Sequence, residues 1–119
     1  MAMLDLYDLI HNICKRPAMY LGHPSLSNLR TFLAGYTFAR YQQGLSATDQ
    51  EQAFTTFPTW LQQQFPSQNH PYWDQLILAA CPSDRDPWDF FVQLFQEFTT
   101  TTVQNDRSHQ TEPSELVFK

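Results

Sequence analysis

The sequence predicts an all-α fold: a compact domain of five or six helices followed by a flexible C-terminal tail. Apolar residues recur at helical spacing in successive segments. The 119 residues include only three Gly, fewer than the tight turns of a sheet protein require. Aromatic residues make up 15% of the chain, so rings should dominate the core. This length fits one helical domain over residues 1–100, with a disordered tail over 101–119.

The first helix is predicted from Met3 to Lys15. One apolar stripe runs along it at the spacing i, i+3, i+4 and i+7: Leu6, Leu9, Ile10 and Ile13. Asp5 and Asp8 lie near its N-terminus and Lys15 near its C-terminus, the arrangement that the helix dipole favours. Pro17 disfavours helical backbone at the residue before it, so the helix should end there.

Residues 15–22, Lys-Arg-Pro-Ala-Met-Tyr-Leu-Gly, form an elbow between two helices, and His23 leads into the second of them. Gly22 allows the chain to turn, and Ser25 or Ser27 can cap the helix that follows. Arg16 and Tyr20 have two interpretations: they close and pack the adjoining helices, or they form a recognition surface together with Arg30 and Arg40 of the next helix.

The second helix should run to about Gln43, because Gly44 is a natural stop. Gly35 lies inside it and predicts a close helix crossing. Thr48 and Glu51 have capping-box spacing, so a third helix should begin near Thr48. Pro58 interrupts its apolar stripe, which indicates either one kinked helix or two helices, and we favour the break.

The last part of the domain begins after a loop at residues 66–71. A short apolar helix is predicted over Tyr72 to Cys81, and a final helix has Asp86 as its N-cap and Pro87 as its first residue. Its apolar stripe consists of Trp88, Phe91, Phe95 and Phe98. From Thr99 the pattern ends in a polar segment typical of disorder. The terminal residues 116–118, Leu-Val-Phe, could dock on a neighbouring surface.

The charge is unevenly distributed along a chain of formal net charge −5. Residues 1–48 carry four basic residues against two acidic ones, whereas residues 49–97 carry seven acidic residues against Arg85 alone. This balance argues against nucleic-acid binding, which needs a clustered basic face. The acidic half has two interpretations: it steers a basic partner, or it only keeps the domain soluble.

The sequence offers little for catalysis or for a metal ion. His11 and Cys14 could present two ligands on one helix face, but a metal site needs three or four. Asp84, Asp86 and Asp89 are better explained by helix capping than by cation binding. Phosphate-binding Gly loops and catalytic motifs are absent. We therefore expect no enzymatic activity, no cofactor and no metal.

Two cysteines are too few for a secreted disulfide scaffold, and the sequence has neither a signal peptide nor a membrane-spanning segment. We therefore expect a cytoplasmic protein.

From about Leu4 to Phe98 the chain resembles a family of small, mostly uncharacterised bacterial proteins. The resemblance rests on the elbow string Arg-Pro-x-Met-Tyr-Leu-Gly and on the Ser-Leu-x-x-Leu-x-x-Phe-Leu-x-Gly-Tyr string at Ser25–Tyr36. The resemblance continues in a Phe-x-x-Trp-Leu string at Phe57–Leu61 and in the aromatic last helix. The resemblance implies a role as an immunity protein or accessory partner of a bacterial toxin.

The leading hypothesis is a non-catalytic domain that binds another protein, in particular an immunity protein that neutralises a basic toxin domain. The predicted partner contacts are Asp74, Asp84, Asp86, Asp89 and Glu97, with Trp88 or Trp73 as an aromatic anchor. The alternative is a small-ligand or nucleotide-related enzyme or sensor with a pocket formed by Arg16, Tyr20 and His23. Homo-oligomerisation is a third alternative.

Overall fold

The computed structural model describes the backbone of residues 4–111 and the side chains of residues 4–101. Within this range the chain is α-helical with no strand. The helices are α1 (Leu6–Lys15), α2 (Pro17–Leu21), α3 (Leu26–Gln42), α4 (Asp49–Phe54), α5 (Phe57–Gln64), α6 (Trp73–Ala80) and α7 (Pro87–Thr111). The all-α prediction is confirmed. None of the helices in the described part of the chain has the length and hydropathy needed to cross a membrane.

Three of the predicted helix starts are confirmed by their capping bonds, whereas the first helix begins at Leu6, later than predicted. The Ser25 hydroxyl accepts from the backbone N–H of Asn28, so Ser25, rather than Ser27, is the N-cap of α3. Thr48 and Glu51 form the reciprocal capping box at the start of α4. The Asp86 carboxylate accepts from the N–H of Asp89 at the start of α7. Each of these bonds spans three residues, so the local sequence predicts it.

The interruption at Pro58 is a break, as expected. α4 ends at Phe54 and α5 begins at Phe57, with Pro58 in its first turn, where a missing N–H costs nothing. The Thr55 and Thr56 hydroxyls donate to the carbonyls of Gln52 and Ala53, which satisfies carbonyls at the end of α4.

The elbow begins and ends as the sequence predicts, but a short helix lies inside it. Residues 17–21 form the short helix α2, with Pro17 at its first position. Gly22 follows with φ of +88°, a conformation that favours glycine, and its N–H donates to the carbonyl of Ala18. The elbow is therefore a folded element of its own, and it explains why the described residues contain seven helices instead of five or six.

The last helix is longer than predicted. The backbone of α7 continues through the threonines to Thr111, beyond the predicted domain end at residue 100. Threonine is only a modest helix breaker, at about 0.7 kcal/mol or less per residue relative to alanine, and each added residue extends the backbone hydrogen-bond ladder. The remaining predicted tail, including Leu116–Phe118, lies outside the described residues.

Aromatic rings form the core around α7. Phe91, Phe95 and Phe98 are buried, and all three contact the fully buried Phe57 of α5, at centroid distances of 6.3, 6.4 and 5.0 Å. Tyr7 of α1 contacts Phe95 edge to face at 5.3 Å. Because rings of α7 contact side chains of several other helices, α7 lies at the centre of the core packing.

One packing prediction is wrong. Gly35 does not mark a helix crossing, because a Cβ atom built there would find nothing within 4 Å. It faces solvent on the outer side of α3. Periodicity placed Gly35 inside the helix, but only the packing of α3 against its neighbours decides which side is covered.

Candidate functional site

Four of the predicted partner contacts form an exposed acidic stripe, which we define as Asp84, Asp86, Asp89 and Glu97. Asp86 caps α7, Asp89 and Glu97 follow it on one side of the helix at the spacing i+3 and i+11, and Asp84 precedes them in the loop. All four residues are solvent-exposed. The exposure of these four carboxylates is compatible with their predicted role as partner contacts.

Arg85 partly offsets the stripe. Its Nη1 atom donates to Oε1 of Gln93 at 2.6 Å, and Nε2 of Gln93 donates to Oε2 of Glu97 at 2.9 Å. Its guanidinium also lies 5.3 Å from the ring centroid of Phe90. Within residues 84–97, four carboxylates are thus set against one guanidinium.

Asp74 is not a partner contact, and this prediction is corrected. Only 1% of the residue is exposed, because it faces α3. Its Oδ1 atom lies 2.7 Å from Nε of Arg30, and its Oδ2 atom accepts from the Ser27 hydroxyl at 3.0 Å. A buried carboxylate requires such partners. Asp74 therefore joins α6 to α3.

Glu51 forms a second ion pair to the same helix. Its Oε2 atom lies 2.5 Å from Nε of Arg40, and Nη2 of Arg40 donates to the carbonyl of Ser46. The two ion pairs thus connect arginines of the basic first part of the chain with carboxylates of the acidic second part. Arg30 and Arg40 are each paired with a carboxylate of the same domain. They therefore do not form a recognition surface together with the elbow.

Trp88 is also corrected as an aromatic anchor, because it is only 8% exposed and contacts Phe91 at a centroid distance of 5.9 Å. Trp73 is half-buried and stacks on Phe91 at 5.7 Å. Both tryptophans therefore serve the core. The sequence could not separate them from surface anchors, since a ring at the edge of a helix stripe suits either role.

The elbow residues do not converge as the alternative hypothesis requires. Arg16 and Tyr20 line a shallow groove of about 310 Å³ together with Asn12, Lys15 and Met19, but His23 is not part of it. Tyr20 packs edge to face on Phe32 of α3, with ring centroids 6.2 Å apart. The backbone N–H of Arg16 donates to the carbonyls of Asn12 and Ile13 and closes α1. These contacts support the interpretation that Arg16 and Tyr20 close and pack the adjoining helices.

Cys14 is poorly suited to act as a nucleophile. Burial raises the pKa of its thiol from 9.0 to about 11, even though Lys15 and Arg16 follow it in the chain. At neutral pH the thiol therefore keeps its proton. Within residues 4–101, no group of three or more His, Cys, Asp or Glu side chains is arranged to hold a metal ion.

A surface that the sequence analysis missed lies along α3, beside α1, α4 and α6. We call it the aromatic groove. It has a volume of about 570 Å³, and its lining is mostly apolar: Leu6, Arg30, Leu33, Ala34, Thr37, Phe38, Tyr41, Phe54 and Trp73. Phe38 is 62% exposed and Tyr41 is 75% exposed. The signal was present in the sequence, because Ala34, Phe38 and Tyr41 follow a second helical stripe beside the core stripe.

Comparisons of the chain with protein-family models, with curated proteins and with solved structures found no match.

Proposed function

We propose that this chain is a non-catalytic protein-binding domain, and specifically an immunity protein that binds and neutralises a basic bacterial toxin. The observation that supports this function best is the acidic stripe. It presents exposed carboxylates along a helix that is anchored in the core by its opposite, aromatic side. A rigid row of like charges is suited to meeting a basic surface, such as the active site of a toxin that acts on nucleic acid.

The acidity of this surface is preserved by the internal ion pairs of the fold. Asp74 and Glu51 each face an arginine of α3, so these charges largely cancel within the domain. Among the described residues 49–97, this leaves the four carboxylates of the stripe and Asp49 against Arg85. Uncompensated charge of one sign speeds the encounter with a partner of opposite sign, and salt weakens the effect.

The experiment begins with the genes beside the one that encodes this chain. A toxin-like neighbour is expressed with and without the chain, and the growth of the host is followed. We expect the chain to restore growth, and we expect the purified pair to associate more slowly as salt concentration rises. Failure of the chain to bind the neighbouring product or to protect the host would refute the immunity function.

A matched pair of charge reversals tests the acidic stripe itself. Asp89 and Asp8 are both exposed and both lie in the first turn of their helix, so each reversal places a positive charge at a helix N-terminus. We expect Asp89→Lys to slow association roughly tenfold and Asp8→Lys to change it little, because steering depends on charge near the contact. Equal rates for the two variants would exclude the stripe as the contact surface.

A second candidate function rests on the elbow groove. Lys15 and Arg16 both line it, and Tyr20 supplies a hydroxyl, which is a combination suited to a small anionic ligand such as a nucleotide. Calorimetric titration with ATP and GTP tests this candidate. Binding that Arg16→Ala abolishes would support it, and the absence of heat at millimolar nucleotide would remove it.

A further inference from the structure

We propose that the aromatic groove is a self-association surface, in which α3 of one copy packs against α3 of a second copy. This inference is independent of the proposed toxin binding, which uses the acidic stripe on α7. It rests on the two-sided hydrophobicity of α3, on the area of the exposed rings and on the charge of the surface.

The helix α3 has apolar side chains on two sides. Leu29 and Leu33 face the core and are buried, at 0% and 5% exposure. Phe38 and Tyr41 project from the other side, where the described part of the chain leaves them in solvent. A helix on the surface of a soluble domain normally carries polar residues on its outer side, so apolar residues on both sides indicate a covered helix.

The exposed rings are large enough to contribute substantially to a dimer. Tyr72 lies beside the groove, with its ring under the Arg30 guanidinium at 4.2 Å, and is 48% exposed. With about 200 Å² for each complete aromatic side chain, the exposed parts of Phe38, Tyr41 and Tyr72 total about 370 Å². Two copies would bury roughly 740 Å² of ring surface, about half of the total buried by a standard interface.

The charge of the surface favours a second copy of the chain as the occupant. Two molecules of net charge −5 repel each other, and this repulsion is weakest where they meet at a neutral surface. Arg30, the one charged residue that lines the groove, is paired with Asp74, and none of the described acidic residues lines it. The acidic stripe, by contrast, lies on α7. The aromatic groove is therefore a surface where two copies can approach without bringing like charges close together.

The shape of the surface also suits twofold symmetry. In a twofold dimer the same patch serves both copies, so it must contain both a projecting group and a recess. The groove provides the recess, and Phe38 and Tyr41 at its edge provide the projecting rings. We place Phe38 of each copy against the groove of the other, with the acidic stripes left accessible.

Sedimentation velocity and light scattering of the full chain test the proposal. The monomer mass is 14.0 kDa, so a dimer has twice that mass. We expect dimers to form with rising concentration over about 1 to 500 μM. Phe38→Glu should raise the dissociation constant by about 100-fold or more, because each dimer loses two buried rings and gains two facing charges.

The matched control is Met19→Glu. Met19 is 63% exposed, compared with 62% for Phe38, and lies on α2 outside the aromatic groove. We expect this variant to dimerise like the wild type. A chain that stays monomeric throughout the concentration range would overturn the proposal. A dimer that Phe38→Glu leaves intact would also overturn the proposal. If such a dimer is lost when Leu116 and Phe118 are replaced by Ser, the interface lies in the C-terminal segment instead.

Discussion

Replacing Asp74 by Asn tests whether this residue holds the fold together or contacts a partner. The substitution keeps the size of the side chain and a group that can bond to Ser27, but it removes the charge that faces Arg30. Because Asp74 is buried, the loss affects an ion pair that water cannot fully replace. The variant should therefore be destabilised in the absence of any partner.

The magnitude follows from the exposure of the two partners. Breaking a fully buried ion pair by removing one charge costs about 3–5 kcal/mol. The Arg30 side chain is 32% exposed and stacks on Tyr72, so water and the ring retain part of its stabilisation. We therefore expect Asp74→Asn to lower the free energy of unfolding by about 2–3 kcal/mol, a large fraction of the stability of a small domain.

Urea unfolding followed by tryptophan fluorescence and circular dichroism measures this loss. Asp84→Asn is the control, since the same substitution at an exposed acid should change the free energy of unfolding by about 0.5 kcal/mol or less. A double-mutant cycle with Arg30→Met should give a coupling of roughly 1–3 kcal/mol. If Asp74→Asn proved as harmless as Asp84→Asn, the assignment of Asp74 to the fold would be refuted.

Two further predictions concern Cys14 and the glycines. The raised pKa of Cys14 means that the folded state keeps a proton that the unfolded state releases, so this residue's contribution to stability is complete below pH 9.0 and disappears as pH rises through about 11. The loss in the free energy of unfolding should be on the order of 1 kcal/mol, because the thiol is partly exposed. Urea unfolding at pH 8 and pH 11 measures this loss, and the Cys14→Ala variant should not show it. Gly35→Ala should stabilise the protein by about 0.5–1 kcal/mol, whereas Gly22→Ala should destabilise it, because Gly35 has free space inside a helix and Gly22 has φ of +88°. Thermal unfolding of both variants measures this contrast, and a stable Gly22→Ala protein would contradict it.

The candidate site could be predicted only in part. The stripe residues Asp84, Asp86, Asp89 and Glu97 are exposed, as partner contacts must be, but Asp74 of the same predicted set is buried. All five had the same signal in the sequence, a carboxylate in an acidic segment. Composition reports how much charge a segment carries, but it does not report which charges will face an arginine from another helix.

The aromatic groove shows that the sequence is equally limited for apolar residues, because it does not report which of them packing will bury. The sequence analysis assigned no role to Phe38 or Tyr41, and the structure leaves both largely exposed. A helix with two apolar stripes can bury either one. Which stripe is buried depends on how α3 packs against α6 and α7, and those contacts join residues far apart in the chain.

By itself, the sequence determined the features that depend on neighbouring residues: the caps at Ser25, Thr48 and Asp86, the break at Pro58 and the helical class of the domain. Their hydrogen bonds and backbone restrictions act within about one helical turn. The tertiary structure alone decided that Arg30 pairs with Asp74 and Arg40 with Glu51, and that one side of α3 remains open. These outcomes depend on the packing of whole helices, because an ion pair forms only where packing brings its two charges together.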